Sequence, residues 1–283
     1  TIATMLLSDV DLKSYTDTAY HNEELKSLTR YRFDKVRERA KLKQSVSRLV
    51  TILFPELEKL VPSLHSVSVY ALFSEYPGAK QISEAHLTKL TNLLSIASKG
   101  HYGKEKAIQI REAAKSSIGS VMPAKSLELK HTIKLIKELT SEIDEIEDSI
   151  QQIMDELHPP ILSIPGVGIQ SAAMILAEIG DFSNFESPDK ILAYSVCSPS
   201  TYQSGKLTNC YAHMEKRGSR YLRYALYNAT KYVCHWNPVF AKYLAKKRAE
   251  GKHYNVALSH ATKKLVRLIY ALQKSGKAYL TAA

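Results

Sequence analysis

The feature that most constrains this chain is a heptad ladder. Leu129, Ile136, Ile143, Ile150 and Leu157 fall seven residues apart, and Leu139, Ile146 and Ile153 take the intervening d positions, with only Thr132 breaking the set. Apolar residues at this spacing form one stripe along a helix, so the pattern predicts a coiled-coil helix of more than four heptads that ends at Pro159-Pro160. Such a stripe needs a partner to leave water. One candidate is a second copy of the chain. The other is a second long helix predicted from His21 to Phe54, where Leu25, Leu28, Val36, Leu42, Val46, Leu49 and Leu53 recur mostly three or four apart before Pro55 stops the run. An intramolecular antiparallel hairpin and a homo-oligomer built through the coiled coil do not exclude each other.

The basic cluster Arg30, Arg32, Lys35, Arg37, Arg39, Lys41 and Lys43 lies on that second helix. It either touches nucleic acid or is a solvated face balanced by Glu23, Glu24, Asp34 and Glu38. Shorter helical segments fill Pro62 to Gly119, interrupted at Tyr76-Pro77-Gly78 and at the Gly-rich basic turn Ser98 to Lys104.

Beyond the two prolines the pattern reads as a short helix, Pro160 to Ile164, a hairpin, Pro165-Gly166-Val167-Gly168, and a helix from Ile169 to Ile179 stopped by Gly180. This is a helix-hairpin-helix pattern. Its two glycines permit positive φ and close approach, so the backbone N–H groups of Gly166, Val167 and Gly168 and the positive end of the following helix can hold a phosphate. The plainer alternative is a turn between two packed helices. Val196 to Glu215 shows no periodicity and reads as a loop of functional length. Three further helices are expected: one capped by Ser219, one opened by Asn237-Pro238, and one from Tyr254 to Lys274. The tyrosines among them (Tyr221, Tyr224, Tyr227, Tyr232, Tyr243) and His235-Trp236 interleave with basic residues, yet a packed aromatic core is expected for most. Strand patterns are essentially absent. The expected fold is all-α, with a helical connector over 1–123, a coiled-coil helix over 124–158 and a compact helical C-terminal domain containing the helix-hairpin-helix over 159–283.

Charge sharpens this division. The net charge is +11, but residues 201–283 hold 16 Lys and Arg against two acids, Glu215 and Glu250, a surplus of +14 that leaves the first 200 residues near −3. A polyanion-binding surface is therefore expected in the last third, and nucleic acid is the commonest such partner. No run approaches the roughly 18 apolar residues of a membrane span. Three cysteines without a secretory signal point to a reduced, cytoplasmic protein, and Cys210-x-x-His213 with Cys197 and Cys234 makes a poor zinc set, so no metal ligand is expected in this chain.

Ser204 is the one candidate nucleophile. A serine hydroxyl attacks phosphorus only where its proton can leave and cations balance the developing charge, and Lys206, Lys216, Arg217, Arg220 and Arg223 lie close by in sequence. From spacing alone a loop serine is more often a turn residue.

Four motifs, in order, carry a resemblance: Ile164-Pro165-Gly166-Val167-Gly168, Ala177-Glu178-Ile179-Gly180-Asp181, Tyr202-Gln203-Ser204-Gly205, and Lys216-Arg217-Gly218 followed after two residues by Tyr221-Leu222-Arg223. Together they resemble the C-terminal domain of the insertion-sequence transposases of the IS one-ten family, relatives of the pilin-gene DNA invertase. The resemblance implies a transposase or site-specific recombinase that cuts and rejoins DNA, with Ser204 as the nucleophile and the hairpin and Lys216 to Arg223 positioning the DNA backbone. It also implies an N-terminal domain whose carboxylates bind Mg²⁺, and, in members studied for it, a guide RNA encoded by the element. That domain is expected upstream of Thr1, so this chain alone is expected to bind nucleic acid without transposing. Ser195-Val196-Cys197-Ser198-Pro199 departs from the Ala-Gly-Leu-Asp-Pro usual in relatives. The competing reading is a non-catalytic helix-hairpin-helix module or the remnant of an inactivated element.

Overall fold

The computed structural model describes residues 20–195, 203–204, 207–208 and 218–280. Helices dominate: α1 (Tyr20–Leu53), α2 (Leu57–Leu60), α3 (Val67–Glu75), α4 (Ala79–Glu84), α5 (Leu87–Ala97), α6 (Lys104–Lys115) and α7 (Pro123–Leu157) come first. A 3-10 turn (Pro160–Ser163) leads to α8 (Ile169–Ile179), and a second (Phe182–Asn184) leads to α9 (Pro188–Tyr194). The chain closes with α10 (Arg220–Trp236), α11 (Pro238–Ala249) and α12 (Tyr254–Ser275). The all-α expectation holds. The exception is a pair of two-residue strands, β1 (Gln203–Ser204) and β2 (Leu207–Thr208). No described helix is long and apolar enough to cross a membrane.

Contacts divide the chain into two compact units, Arg32–Glu145 and the remainder, Thr1–Tyr31 with Ile146–Ala283. The division falls inside both long helices.

In the Arg32–Glu145 unit, the later turns of α1 run antiparallel to the first turns of α7. Lys35 pairs with Glu142 at 2.7 Å, Arg39 donates to the Thr140 hydroxyl at 3.2 Å, and Arg48 approaches Glu128 at 3.9 Å, so one numbering rises as the other falls. Val46, Leu49, Val50 and Leu53 of α1 share a buried cluster with Leu129, Ile133 and Ile136 of α7 and with Leu72, Phe73, Ile82, Leu90, Leu94 and Ile110 from the shorter helices. This stretch of the heptad stripe thus finds its partner within the chain. The stripe is also broader than a strict seam: Thr132, Ile133, Ile143, Ile146, Ile150 and Met154 are buried, while Leu157 is 42% exposed. Burial at a, d and e is the pattern of a helix facing a globular core, and it follows from the helix turning every 3.6 residues rather than 3.5.

In the other unit, α10 is the central helix, packed against α8, α11 and α12. Its buried face is Leu222, Ala225, Leu226, Ala229 and Val233, the set that its periodicity predicts. From Ala172 to Ile179 every residue of α8 is buried. In the core Thr262 Oγ1 donates to Thr230 Oγ1 at 3.1 Å. Buried Asn237 caps α11 through the Val239 N–H and donates to the Tyr279 hydroxyl at 3.0 Å. Cys234 is a small buried residue whose thiol burial pushes up to about 11, which makes it inert.

Candidate functional site

The organising residue is Glu178, one of the few charges the fold buries: its side chain is 0% exposed. It sits in the last turn of α8. Arg30 of α1 clamps it through both guanidinium edges, Nε to Oε1 at 2.6 Å and Nη2 to Oε2 at 3.0 Å. Ser219 Oγ donates to Oε2 at 2.6 Å while accepting from the Leu222 N–H at 3.1 Å, so the carboxylate, the cap and the first turn of α10 form one hydrogen-bonded chain. Burial pushes the Glu178 carboxyl up, but the bonds from Arg30 and Ser219 and the Arg30 charge outweigh it and hold the group below its ordinary value. Arg30 also lies over the Tyr221 ring at 4.8 Å, and Arg220 lies over the same ring at 4.7 Å.

This cluster closes a loop. Ser195, fully buried, ends α9, and the N–H of Ser219 donates to the Tyr194 carbonyl at 3.2 Å. The ends of the intervening segment therefore meet at a neck, with Glu178 bonded to one side of it. Within that segment β1 and β2 pair antiparallel, Gln203 with Thr208 and Ser204 with Leu207, so Ser204 is the last β1 residue before the hairpin connection. Lys206, Lys216 and Arg217 lie outside the described residues.

The hairpin after the 3-10 turn lies against α10. Gly166 has φ +94° and faces the Tyr232 backbone so closely that a Cβ would come within 2.6 Å of its carbonyl. Gly168 differs from expectation: its φ is −85° and a Cβ there would meet nothing within 4 Å. Only the first glycine is demanded by the fold. The second leaves the entrance to the α8 N-terminus unobstructed, and α8 has no side-chain cap. Gly166→Ala is accordingly expected to destabilise the protein by more than ~2 kcal/mol, on the order of a strained left-handed position with a backbone clash, whereas Gly168→Ala, with open space for its Cβ, is expected to cost about 1 kcal/mol or less, as a poorer N-cap. Paired thermal melts of the two variants check the contrast.

Residues 159–245, which span the hairpin, Glu178, the loop and α10, match the family model described as transposase IS116/IS110/IS902. This stretch is similar to the transposase domain of that family. Over 282 residues the chain is 23% identical to the insertion element IS110 uncharacterized 43.6 kDa protein of Streptomyces coelicolor, covering 95% of the chain and 67% of the relative. It is 24% identical over 263 residues, 91% of the chain and 65% of the relative, to the insertion element IS116 uncharacterized 44.8 kDa protein of Streptomyces clavuligerus. Over 120 residues, 42% of the chain and 37% of the relative, it is 26% identical to the pilin gene-inverting protein of Moraxella bovis. The chain spans about two thirds of the length of these insertion-element relatives.

Within this matched stretch, Arg220 is exposed at the start of α10 and donates to the Tyr221 hydroxyl at 2.7 Å. Arg223, half-buried one turn on, has an Nη1 that is shielded from water and has no hydrogen-bond partner. The expected aromatic core does not form. Tyr224, Tyr232 and Trp236 are 48%, 60% and 65% exposed, and Tyr221, Tyr227 and Tyr243 are only half-buried, because the aliphatic residues of α10 already fill its buried face. Among the described residues no three His, Cys, Asp or Glu stand close enough to hold a metal ion. The sequence offered Arg30 only as part of a nucleic-acid-binding or solvated basic cluster and Glu178 only as part of a motif, and paired neither with the other. The one signal for Glu178 was an acid inside the otherwise apolar run Ala172 to Ile179.

Proposed function

We propose that this chain is the DNA-binding and serine-nucleophile part of a transposase or site-specific recombinase. The observation that carries the reading is the neck. Ser219, capping the basic helix, is tied by its N–H to Tyr194 and by its hydroxyl to buried Glu178, and the loop closed there holds Ser204 at the end of a strand pair. Ser204 on this loop is the nucleophile in this reading, and the basic start of α10 supplies cations. In the first step Ser204 Oγ bonds to a backbone phosphorus and the bond from that phosphorus to one deoxyribose oxygen breaks. The serine proton passes to solvent, and the departing oxygen takes one up. Rejoining is the reverse, a sugar hydroxyl displacing the serine. The chain supplies backbone positioning through the hairpin and through Arg220 and Arg223, whose unpartnered Nη1 suits a phosphate oxygen. The pilin gene-inverting relative favours DNA as the substrate. Mg²⁺ held elsewhere in the whole protein, an element-encoded guide RNA, self-association and a cytoplasmic setting belong to the same proposal and rest on the resemblance.

Salt titration tests the binding half. Affinity for DNA should fall steeply as salt rises, and Arg223→Ala should weaken binding to all sequences alike and reduce the salt slope by about 1. A salt-independent interaction would remove DNA as the partner. The catalytic half is tested by incubating the whole protein with element-end DNA: an adduct linked through Ser204 supports it, and recombination without one removes it.

A further inference from the structure

Along α10, Tyr224, Asn228, Tyr232 and Trp236 follow one another four residues apart, which places them on one face of the helix. Aromatics at 48%, 60% and 65% exposure, three on one face, form an exposed aromatic row. The row ends beside the hairpin. Tyr232 and Trp236, with residues 166–171, line a cavity of about 460 Å³. Gly166, seated on the Tyr232 backbone, fixes how far the hairpin stands from the row.

The two sides of this cavity differ in chemistry. One is aromatic, with the His235 ring set edge-on to Trp236 at 5.0 Å. The other holds the first-turn N–H groups of α8, uncapped by any side chain, and the open space over Gly168. Gln170, also in the wall, has an Oε1 shielded from water and without a hydrogen-bond partner, an acceptor for an N–H donor. The surplus of +14 over residues 201–283 favours an anionic occupant. A volume in the range of about 300–1,000 Å³ typical of small-molecule sites is larger than a bare phosphate needs.

We propose that this cavity takes an unpaired nucleotide of a DNA strand, its base stacked on Tyr232 and Trp236 and its phosphate against the α8 N-terminus. In a duplex each base face is covered by its neighbours, so an aromatic side chain reaches it only where the strand is single or the pair is opened. The inference rests on the reading of the domain as DNA-handling and adds the state of the DNA it grips. It uses none of the loop that carries Ser204.

Trp236 is the one tryptophan of the chain, so its emission reports the site directly. The chain is titrated with a deoxyoligonucleotide of about 12 nucleotides, within the footprint range of single-strand binders, with the duplex of the same sequence, and with the ribo-oligonucleotide, while anisotropy of a labelled strand reports saturation independently. The single DNA strand should quench Trp236, and Tyr232→Ala should weaken its binding about tenfold, the order supplied by stacking one base, while duplex affinity is unchanged. Tyr232 is 60% exposed, so its removal leaves the fold intact, as an unchanged thermal melt would verify. No quenching at saturation, equal quenching by duplex, tighter binding of the RNA strand, or an unaltered Tyr232→Ala variant would each overturn the proposal. If these failures coincide with a Ser204-dependent DNA adduct, the site inference falls and the catalytic reading stands; quenching without an adduct is the converse.

Discussion

Ser204→Ala in the whole protein should abolish covalent attachment to DNA completely while leaving DNA affinity within about twofold. The asymmetry follows from what the residue supplies. Binding to a polyanion is spread over many cations and backbone donors, so losing one neutral hydroxyl hardly alters it. Covalent attachment depends on one oxygen for which alanine has no substitute. Electrophoresis under denaturing conditions reads the adduct, and a filter or anisotropy assay reads affinity. An adduct of unchanged yield in Ser204→Ala would take the nucleophile's role away from this loop. Loss of affinity in step with loss of adduct would mean that Ser204 is a structural loop residue.

Arg30→Ala should be the most disruptive of the charge substitutions. It leaves the Glu178 carboxylate 0% exposed with Ser219 as its remaining side-chain partner. Breaking a fully buried pair costs about 3–5 kcal/mol; because the Arg30 side chain is 41% exposed, so that water can reach the site, about 2–3 kcal/mol is expected here. Urea denaturation at neutral pH measures it. Because Glu178 bonds directly to the residue that caps α10 and closes the neck, Arg30→Ala should also slow adduct formation without changing which residue carries the adduct. Acid provides a second readout. Burial raises the Glu178 carboxyl and the bonds from Arg30 and Ser219 lower it further, so its folded value lies beneath its unfolded one. The stability this confers is fully present above the unfolded value, near the ordinary 4.5, and is lost as pH falls through the folded value. Glu178→Gln should therefore be less stable than the parent at neutral pH and lose less stability on acidification. Parallel acid profiles for the two proteins would contradict the buried pair.

Much of the architecture was legible because it is written in local spacing. The ladder from Leu129 to Leu157, the cap at Ser219, the Asn237-Pro238 start and the hairpin between Ile164 and Ile169 all follow from residues within a few turns of one another. The choice of partner for α7 was left open in the sequence, since two long amphipathic helices suit a hairpin and a dimer equally. The Lys35–Glu142 and Arg48–Glu128 pairs select the hairpin for that stretch. The pairing of Glu178 was missed for the same reason in sharper form: its clamp, Arg30, lies 148 residues away, and a pairing across that distance leaves no local pattern. Gly168 was assigned the same conformational need as Gly166, although only contact with the Tyr232 backbone distinguishes them. The exposed face of α10 was readable from the four-residue spacing of Tyr224, Tyr232 and Trp236. It was outweighed by the general tendency of aromatics to be buried.

The central claim is that the loop closed between Tyr194 and Ser219 presents Ser204 to DNA. The most direct measurement is peptide mapping by mass spectrometry of the whole protein after reaction with element-end DNA, denaturation and nuclease trimming. The account predicts a single modified peptide, carrying a residual nucleotide in phosphodiester linkage on Ser204. A nucleotide found on any other serine or on a tyrosine, or strand exchange proceeding with no modified peptide, would contradict it.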